Sequence, residues 1–530
     1  MTTTRTPFPT RTALPIRTHG ARPALALLFC AALAACGGGG GGGSAPAGTP
    51  PAPAPVPPPP SGTLPQSNSL AQQCAPTNML AQPITRVASL DTEKRWVRSY
   101  LDEAYLWYRE VPTVDASLPQ FSNTANVPLS LDNYFNALLT TARTPSGKLK
   151  DEFSFTFPTA EWTALSQGGT SAGYGIEWFF NQTTGSTGPQ RTLRIAYVDP
   201  GTPAATANLT RGLRVLSING VDINSNNVTV INEGAFSPRS GTTYTFVFET
   251  LTGQQQTVAL TAGTVTKVPV QNVKVIPTAG GNVGYLTFND HIAPAEGQLV
   301  AAFEQLRAQN VQDLVLDLRY NGGGFIYLAA QVGYMIAGSQ RSANRVFERL
   351  RFNDKRTADN NDPENSFPFI NVTVAPFPNS GVARNQPLPQ LNLARVFILT
   401  SPGSCSASES IINALEGIDV QVIRIGGTTC GKPFGFTAKD NCGISYFPIE
   451  FQGVNDKGFG DFADGFAPRC SVADDFSRPL GDPAEGMLAA ALTFRQTGAC
   501  PTASSVRPQA AATNGALVRA KVRENKFLHR

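Results

Sequence analysis

The chain has 530 residues, 41% of them hydrophobic and 15% charged, a globular composition long enough for more than one core. The formal net charge is +4, and four early arginines (Arg5, Arg11, Arg17, Arg22) account for it: without residues 1–35, 38 basic residues face 38 acidic ones. That balance gives no reason to expect a nucleic-acid partner.

The four arginines precede an apolar run, Ala24 to Ala35, that ends at Cys36. A basic start, a short apolar stretch and small residues before a cut predict a secretory signal over 1–35, too short to span a membrane as a mature helix. Leu33-Ala34-Ala35-Cys36 resembles a bacterial lipobox. That resemblance implies cleavage before Cys36 and lipidation of its thiol; the plainer alternative is ordinary cleavage with Cys36 incidental. No other long apolar run occurs, so no transmembrane helix is expected. Gly37 follows the cysteine, which by the same resemblance favours the outer membrane, on the periplasmic side of the envelope.

Residues 36–83 begin with seven glycines and continue rich in alanine and proline, a tether composition. Trp96, Tyr100, Leu101 and Tyr105, then Leu131, Tyr134, Phe135 and Leu138, recur at helical spacing and predict a small helical domain over 84–160. Over 161–265 the pattern changes to short β-branched runs between Gly, Asn and Thr turns, such as Leu193–Val198, Arg214–Gly220 and Thr245–Thr250. This stretch resembles a PDZ domain. Gly173-Tyr174-Gly175-Ile176 matches that family's carboxylate-binding loop, and Arg211 to Gly220 matches its signature strand and turn. The resemblance implies capture of a polypeptide C-terminus by backbone N–H groups, the peptide adding as a strand to a sheet edge. A purely structural β-domain is the alternative.

From 266 to 500 strands alternate with helices. Val283–Phe288, Leu314–Arg319, Ala394–Thr400 and Val420–Ile425 read as strands, with helices over Leu299–Leu306 and Phe325–Ile336. Such alternation predicts right-handed crossovers and a largely parallel sheet, with functional loops at the strands' carboxyl ends. The overall expectation is a multidomain α/β and α+β chain: helical N-terminal domain, PDZ-like β-domain and α/β catalytic domain. Residues 501–530 carry Arg519, Lys521, Arg523, Lys526 and Arg530 and read as a basic, solvated tail.

Three loops follow predicted strands: Asn321-Gly322-Gly323-Gly324, Gly403-Ser404-Cys405-Ser406-Ala407 and Cys430-Gly431-Lys432. A serine can be activated by an unprotonated lysine without histidine. Ser406 precedes Ile411, Ile412 and Leu415, which predict a helix starting at the serine, where free N–H groups favour developing negative charge. The bland reading of Ser406 is a helix cap, and that of Lys432 a solvated charge. In the functional reading Ser406 is the nucleophile. Lys432 is the base, provided burial near Phe434 and Phe436 favours its neutral form. The amides of Ala407 and of Gly322 or Gly323 form the oxyanion hole.

In this order, Asp317-Leu318-Arg319-Tyr320-Asn321-Gly322-Gly323, Ser406-Ala407-Ser408-Glu409 and Gly431-Lys432 resemble the carboxyl-terminal processing protease family, peptidase S41. The resemblance covers roughly residues 84–495. It implies a Ser406–Lys432 dyad cutting polypeptides recognised by their C-terminus. Some members carry a glutamine four residues after the lysine; here that position is Phe436.

Six cysteines follow Cys36 (Cys74, Cys405, Cys430, Cys442, Cys470, Cys500), and in an exported chain an even number predicts disulfides of unassigned connectivity. A Cys405–Cys430 bond would lock the serine and lysine loops together; either could equally pair with Cys442 or Cys470. Zinc is discounted, since no Cys-x-x-Cys occurs and only three histidines exist. Gly426 to Lys432 begins like a phosphate loop, but Pro433 stands where a Ser/Thr is required. His291, the one histidine in the predicted folded body, reads as a solvated loop residue rather than a base. The functional expectation is a lipid-anchored envelope serine endopeptidase. The expectation includes no cofactor or metal, protein or peptide substrates with free C-termini, and an envelope adaptor as a further candidate partner. The alternative is an inactive PDZ-bearing lipoprotein that only binds C-termini.

Overall fold

A computed structural model describes residues 64–185, 188–501 and 526–527. The expected signal segment, Cys36 and most of the tether lie outside the described residues.

The centre is a six-stranded sheet in the spatial order Val270–Ile276, Val283–Phe288, Asp313–Asp317, Arg395–Thr400, Gln421–Gly426, Cys470–Ser471. Every neighbouring pair is parallel except the first. Val283–Phe288 and Asp313–Asp317 are buried at every position. Continuous apolar runs of this kind belong to parallel strands covered on both faces. Helices Ala295–Ala308, Ile326–Ala337 and Ala407–Gly417 contribute to the core on one face, through Leu299, Phe303, Leu328, Ile411 and Leu415. Helix Gly486–Thr497 joins Val315, Phe397, Leu399 and Ile425 through Met487, Leu488 and Ala491 in a second cluster.

Two differences from the sequence expectation have physical causes. Helices Leu90–Ala104 and Val127–Ala137 form where the periodicity placed them. Their Trp96, Leu101, Leu131 and Phe135 nevertheless share one core with Phe436, Tyr446 and Phe447, so they have no separate core. Order also begins before Ile84. Cys74 is disulfide-bonded to Cys442, buried Glu93 accepts from Ala75 N (2.7 Å) and Asn78 Nδ2 (3.0 Å), and Glu103 accepts from Ser67 N (2.7 Å). Burial pushes the Glu93 carboxyl up to about 7, against the pull of those donors.

Between Thr170–Gly173 and Gly263–Thr266, which pair antiparallel, lies a β-rich module with its own core of Trp178, Leu193, Ile195, Val215, Phe246 and Phe248. Its sheet runs Ile176–Gly185, Gly188–Val198, Arg214–Ile218, Thr243–Glu249, Gln255–Thr261, which leaves Ile176–Gly185 at an edge. No helix among the described residues is long and apolar enough to cross a membrane.

Candidate active site

Three consecutive loops leave the carboxyl ends of central parallel strands and meet. The loop after Asp313–Asp317 carries Asn321 to Gly324. The loop after Arg395–Thr400 carries Ser406, and the loop after Gln421–Gly426 carries Lys432. The serine loop is pinned to the glycine loop by several bonds: Ser404 Oγ donates to Leu318 O (2.8 Å), and Cys405 N and Ser408 Oγ donate to Asn321 O (3.1 and 3.0 Å).

Ser406 sits at the helix N-terminus with φ 60° and ψ −116°, a conformation that strains a non-glycine residue. Its side chain is wholly buried and its Oγ makes no hydrogen bond, so the hydroxyl does not cap the helix. Glu409, one turn into the helix, reaches back instead. Its Oε2 accepts from Ser406 N (2.9 Å) and Lys432 N (2.8 Å), and its Oε1 from Gly431 N (2.8 Å) and Thr429 Oγ1 (2.5 Å). One buried carboxylate therefore ties the backbone of the serine loop to that of the lysine loop. Burial raises its pKa, and the four donors oppose the rise. The Cys405–Cys430 disulfide and Cys430 N donating to Ser404 O (3.0 Å) add two further ties between the same loops. Cys470 pairs with Cys500, so all six cysteines are accounted for.

Lys432 is wholly buried. Its Nζ lies 4.4 Å from the centre of the Phe436 ring and 5.0 Å from that of Phe153. Phe436 and Phe153 thus supply the apolar setting; Phe434 instead packs edge-on against Trp107.

The glycine loop is set by two side chains the sequence reading undervalued. Asn321 Oδ1 accepts from Gly323 N (2.9 Å) and contacts His291 Nδ1 (2.9 Å), while its Nδ2 donates to Phe288 O (2.8 Å). The backbone of His291 donates to Gly323 O (3.1 Å) and accepts from Phe325 N (2.8 Å). His291 is fully buried, not solvated as expected, and burial pushes its pKa down to about 3. The ring is therefore neutral, with Nδ1–H directed at Asn321 and Nε2 unpartnered.

Gly323 has φ +98°, and a Cβ there would lie 2.8 Å from Ser406 Cβ and 2.9 Å from Ala407 N. Gly323 and the Ala407 amide are thus immediate neighbours of the serine. The Gly323 amide is occupied by Asn321, whereas no acceptor for Gly322 N is found among the described residues. Of the two glycines, Gly322 is the better partner for Ala407, whose amide, at the first helical position, has no intrahelical acceptor.

Beneath the loop lies a buried ion cluster. Arg319 bonds Asp317 (2.9 Å), Asp474 (2.7 Å) and Glu485 (2.7 Å), and Arg211 of the β-rich module bonds Asp474 and the Tyr320 hydroxyl (both 2.6 Å). Gly173, Tyr174, Gly175 and Ile176 belong to that module, apart from the serine cluster. Gly175 has φ +80°, and a Cβ there would fall 2.3 Å from Thr202 Cβ, so only glycine fits. Tyr174 is buried and its hydroxyl donates to Gly234 O (2.9 Å).

Comparison with known proteins finds the family that the sequence motifs resemble. Residues 282–439 match the model of peptidase family S41, and residues 92–155 match the peptidase S41 N-terminal domain. The chain carries the domains of peptidase family S41. It is 28% identical over 133 residues to a carboxyl-terminal-processing protease of Picosynechococcus, covering 25% of this chain and 32% of that protein. It is 27% identical over 161 residues to a "Probable CtpA-like serine protease" of Staphylococcus epidermidis, covering 30% and 27%. The matches thus span about a third or less of these curated relatives. A solved chain from Bacteroides fragilis NCTC 9343, assigned to the S41 proteases, superposes with a TM-score of 0.55 at 24% identity, covering 76% of this chain and 97% of that one. It supports the mixed α/β S41 fold.

Proposed function

We propose that this protein is a serine endopeptidase in which Ser406 attacks the peptide carbonyl and Lys432 takes and returns the proton. The observation that carries the reading is the pair of buried side chains held by one carboxylate: Glu409 binds the backbone N–H of both Ser406 and Lys432, and the Ser406 hydroxyl is left without a partner. Neutral Lys432 removes the hydroxyl proton as Oγ adds to the carbonyl carbon. The oxyanion meets the amides of Ala407 and Gly322. Lys432 then protonates the leaving amine, and water hydrolyses the acyl-enzyme by the same route.

Capture of substrate C-termini fits the module at 170–266. The Gly173–Ile176 loop leads into a strand, Ile176–Gly185, at the edge of its sheet, the place where an added peptide strand would pair. A carboxylate held by backbone amides there would favour small or apolar terminal residues. Amidating a peptide's C-terminus should weaken binding; equal handling of free and amidated peptides would leave the module a spacer. The lipid anchor at Cys36 and the periplasmic location rest on the sequence alone. Cys36→Ser should release the protein from membranes, and unchanged fractionation would end that part of the reading.

The decisive assay incubates the purified mature protein with casein. Ser406→Ala and Lys432→Ala should each abolish cleavage with the fold intact, and His291→Gln should retain it. Loss in His291→Gln with turnover in Lys432→Ala would make the histidine the base. No turnover by the native protein, with C-terminal peptides still bound, would favour the inactive binding protein.

A further inference from the structure

Residues 455–469 join the strands Phe451–Val454 and Cys470–Ser471 and are strapped to two elements of the active site. Toward one end they are tied to the helix that begins after Ser406. Asn413 Nδ2 on that helix donates to Phe459 O (3.1 Å), and Asn455 Nδ2 donates to Asn413 O (2.9 Å). Toward the other end they are tied to the lysine loop. Phe466 N donates to Thr429 Oγ1 (2.7 Å), and that hydroxyl donates in turn to Glu409. Gly431, next to Lys432, lies flat against the segment: a Cβ there would fall 2.2 Å from Ala463 O.

Between these ties the segment and the residues Thr144 and Pro145 border a cleft of about 340 Å³. The rings of Phe459, Phe462 and Phe466 and the carboxylates of Asp461 and Asp464 line it, and none of its lining residues is basic. Phe462 and Phe466 stack with centres 4.7 Å apart, and Phe459 stands 6.5 Å from Phe462. Phe459 is 46% exposed although its backbone is held, its N–H donating to Asn455 Oδ1 (3.0 Å). Asp461 has no hydrogen bond or ion pair among the described residues, and Asp464 accepts from the Ser146 hydroxyl but pairs with no cation. The neighbouring cations are engaged elsewhere. Lys148 donates to Cys430 O (3.4 Å), and Arg424 pairs with Glu416 while its guanidinium lies 5.3 Å from the Phe466 ring.

We propose that this cleft is a substrate subsite for a basic side chain, arginine above lysine, of the polypeptide being cut; the inference rests on the peptidase reading above. A cation is attracted to aromatic faces, and the two carboxylates supply the counter-charge. A planar guanidinium meets both demands at once, stacking on a ring while its edge donates to a carboxylate. An apolar side chain would strip water from the carboxylates without replacing it, and an acidic one would be repelled. The straps to the nucleophile helix and to Thr429 fix the cleft relative to Ser406 and Lys432. A side chain held there belongs to the stretch of substrate that lies beside the lysine loop.

The test walks a single arginine, or its uncharged isostere citrulline, along a quenched-fluorescent peptide taken from casein. At one position kcat/KM should favour arginine by at least about ten-fold, mainly through KM. Asp461→Asn/Asp464→Asn should bring that ratio to within about two-fold of one, and Phe459→Ala should lower it about three-fold. Equal handling of the two peptides at every position overturns the subsite and leaves the peptidase reading in place. So does an undiminished ratio in the double variant, or a larger gain from leucine than from arginine. If the native protein cuts none of the peptides, the peptidase reading fails. Binding of the same peptides to Ser406→Ala, followed by fluorescence anisotropy, then decides the cleft by itself. Arginine favoured about ten-fold, with the preference lost on adding Asp461→Asn/Asp464→Asn, supports a site for basic side chains; equal affinities overturn it.

Discussion

His291 offers a quantitative test of the site's construction. Its imidazole is held neutral, pushed by burial from an ordinary 6.5 to about 3. Between those values the unfolded chain binds a proton that the folded chain refuses. Stability is therefore fully present above pH 6.5 and is lost as pH falls toward 3. At pH 5 the interval is 1.5 units, and at 1.36 kcal/mol per unit the loss is about 2 kcal/mol. The experiment compares Ser406→Ala, chosen to prevent self-digestion, with Ser406→Ala/His291→Gln. Glutamine keeps an N–H donor for Asn321 Oδ1 and does not titrate. Chemical denaturation of both at pH 8 and pH 5 gives two losses, and groups that titrate elsewhere cancel in their difference. The histidine protein should lose about 2 kcal/mol more. Equal losses would refute a buried neutral ring. The loop that carries Gly322 and Gly323 hangs on this residue, so acid should loosen the proposed oxyanion site as well as the fold.

Glu409→Gln keeps the shape but turns one acceptor oxygen into a donor facing two donors; losing two charge-assisted bonds, partly offset by removing a buried charge, should cost about 2–4 kcal/mol in thermal denaturation and most of the peptidase activity. Gly323→Ala would drive a methyl within 2.8 Å of Ser406 Cβ and should abolish turnover with the circular dichroism spectrum unchanged. Cys405→Ala/Cys430→Ala opens a closed loop of sequence separation 25, worth about 3 kcal/mol, and should lower both activity and the denaturation midpoint with the other two disulfides intact. Phe436→Leu removes a ring face 4.4 Å from Lys432 Nζ while keeping the site apolar. A cation–π contribution of about 0.5–2 kcal/mol at the amine should then vanish, lowering kcat/KM by about two- to thirty-fold.

The parallel sheet, its helices and the three converging loops were legible because each is encoded locally. Val283–Phe288 and Leu314–Leu316 announce themselves as short, mainly apolar runs, and the helix after Ser406 as a 3.6-residue repeat of Ile411, Ile412 and Leu415. What escaped is what depends on distant partners. Glu409 stood three residues after Ser406 in a capping pattern, but its tie to Lys432 spans the rest of that helix and the strand Gln421–Gly426. Phe153 lies nearly 280 positions from Lys432 in the chain. The order of residues 64–83 rests on Cys74–Cys442, with a separation of 368 residues. His291 looked solvated because it follows a strand; Asn321 buries it. Lys526–Phe527, in the stretch expected to be a solvated tail, forms a strand parallel to Gly324–Phe325; being two residues long, it carries no periodic signal.

The glutamine that some S41 enzymes place four residues after the lysine has no counterpart here, and the structure indicates how the lysine is constrained without it. Its backbone is fixed through its own N–H on Glu409, and its amine by two aromatic faces. The effects on the amine have opposite signs. Burial penalises the ammonium, the form that a base as proposed above must not hold at rest. The ring faces favour the ammonium, the form that such a base would take on as the proposed attack proceeds. Glu409 directs its acceptors to three backbone amides and a threonine hydroxyl. The carboxylate thus positions the two loops, while Phe153 and Phe436 face the amine of the lysine.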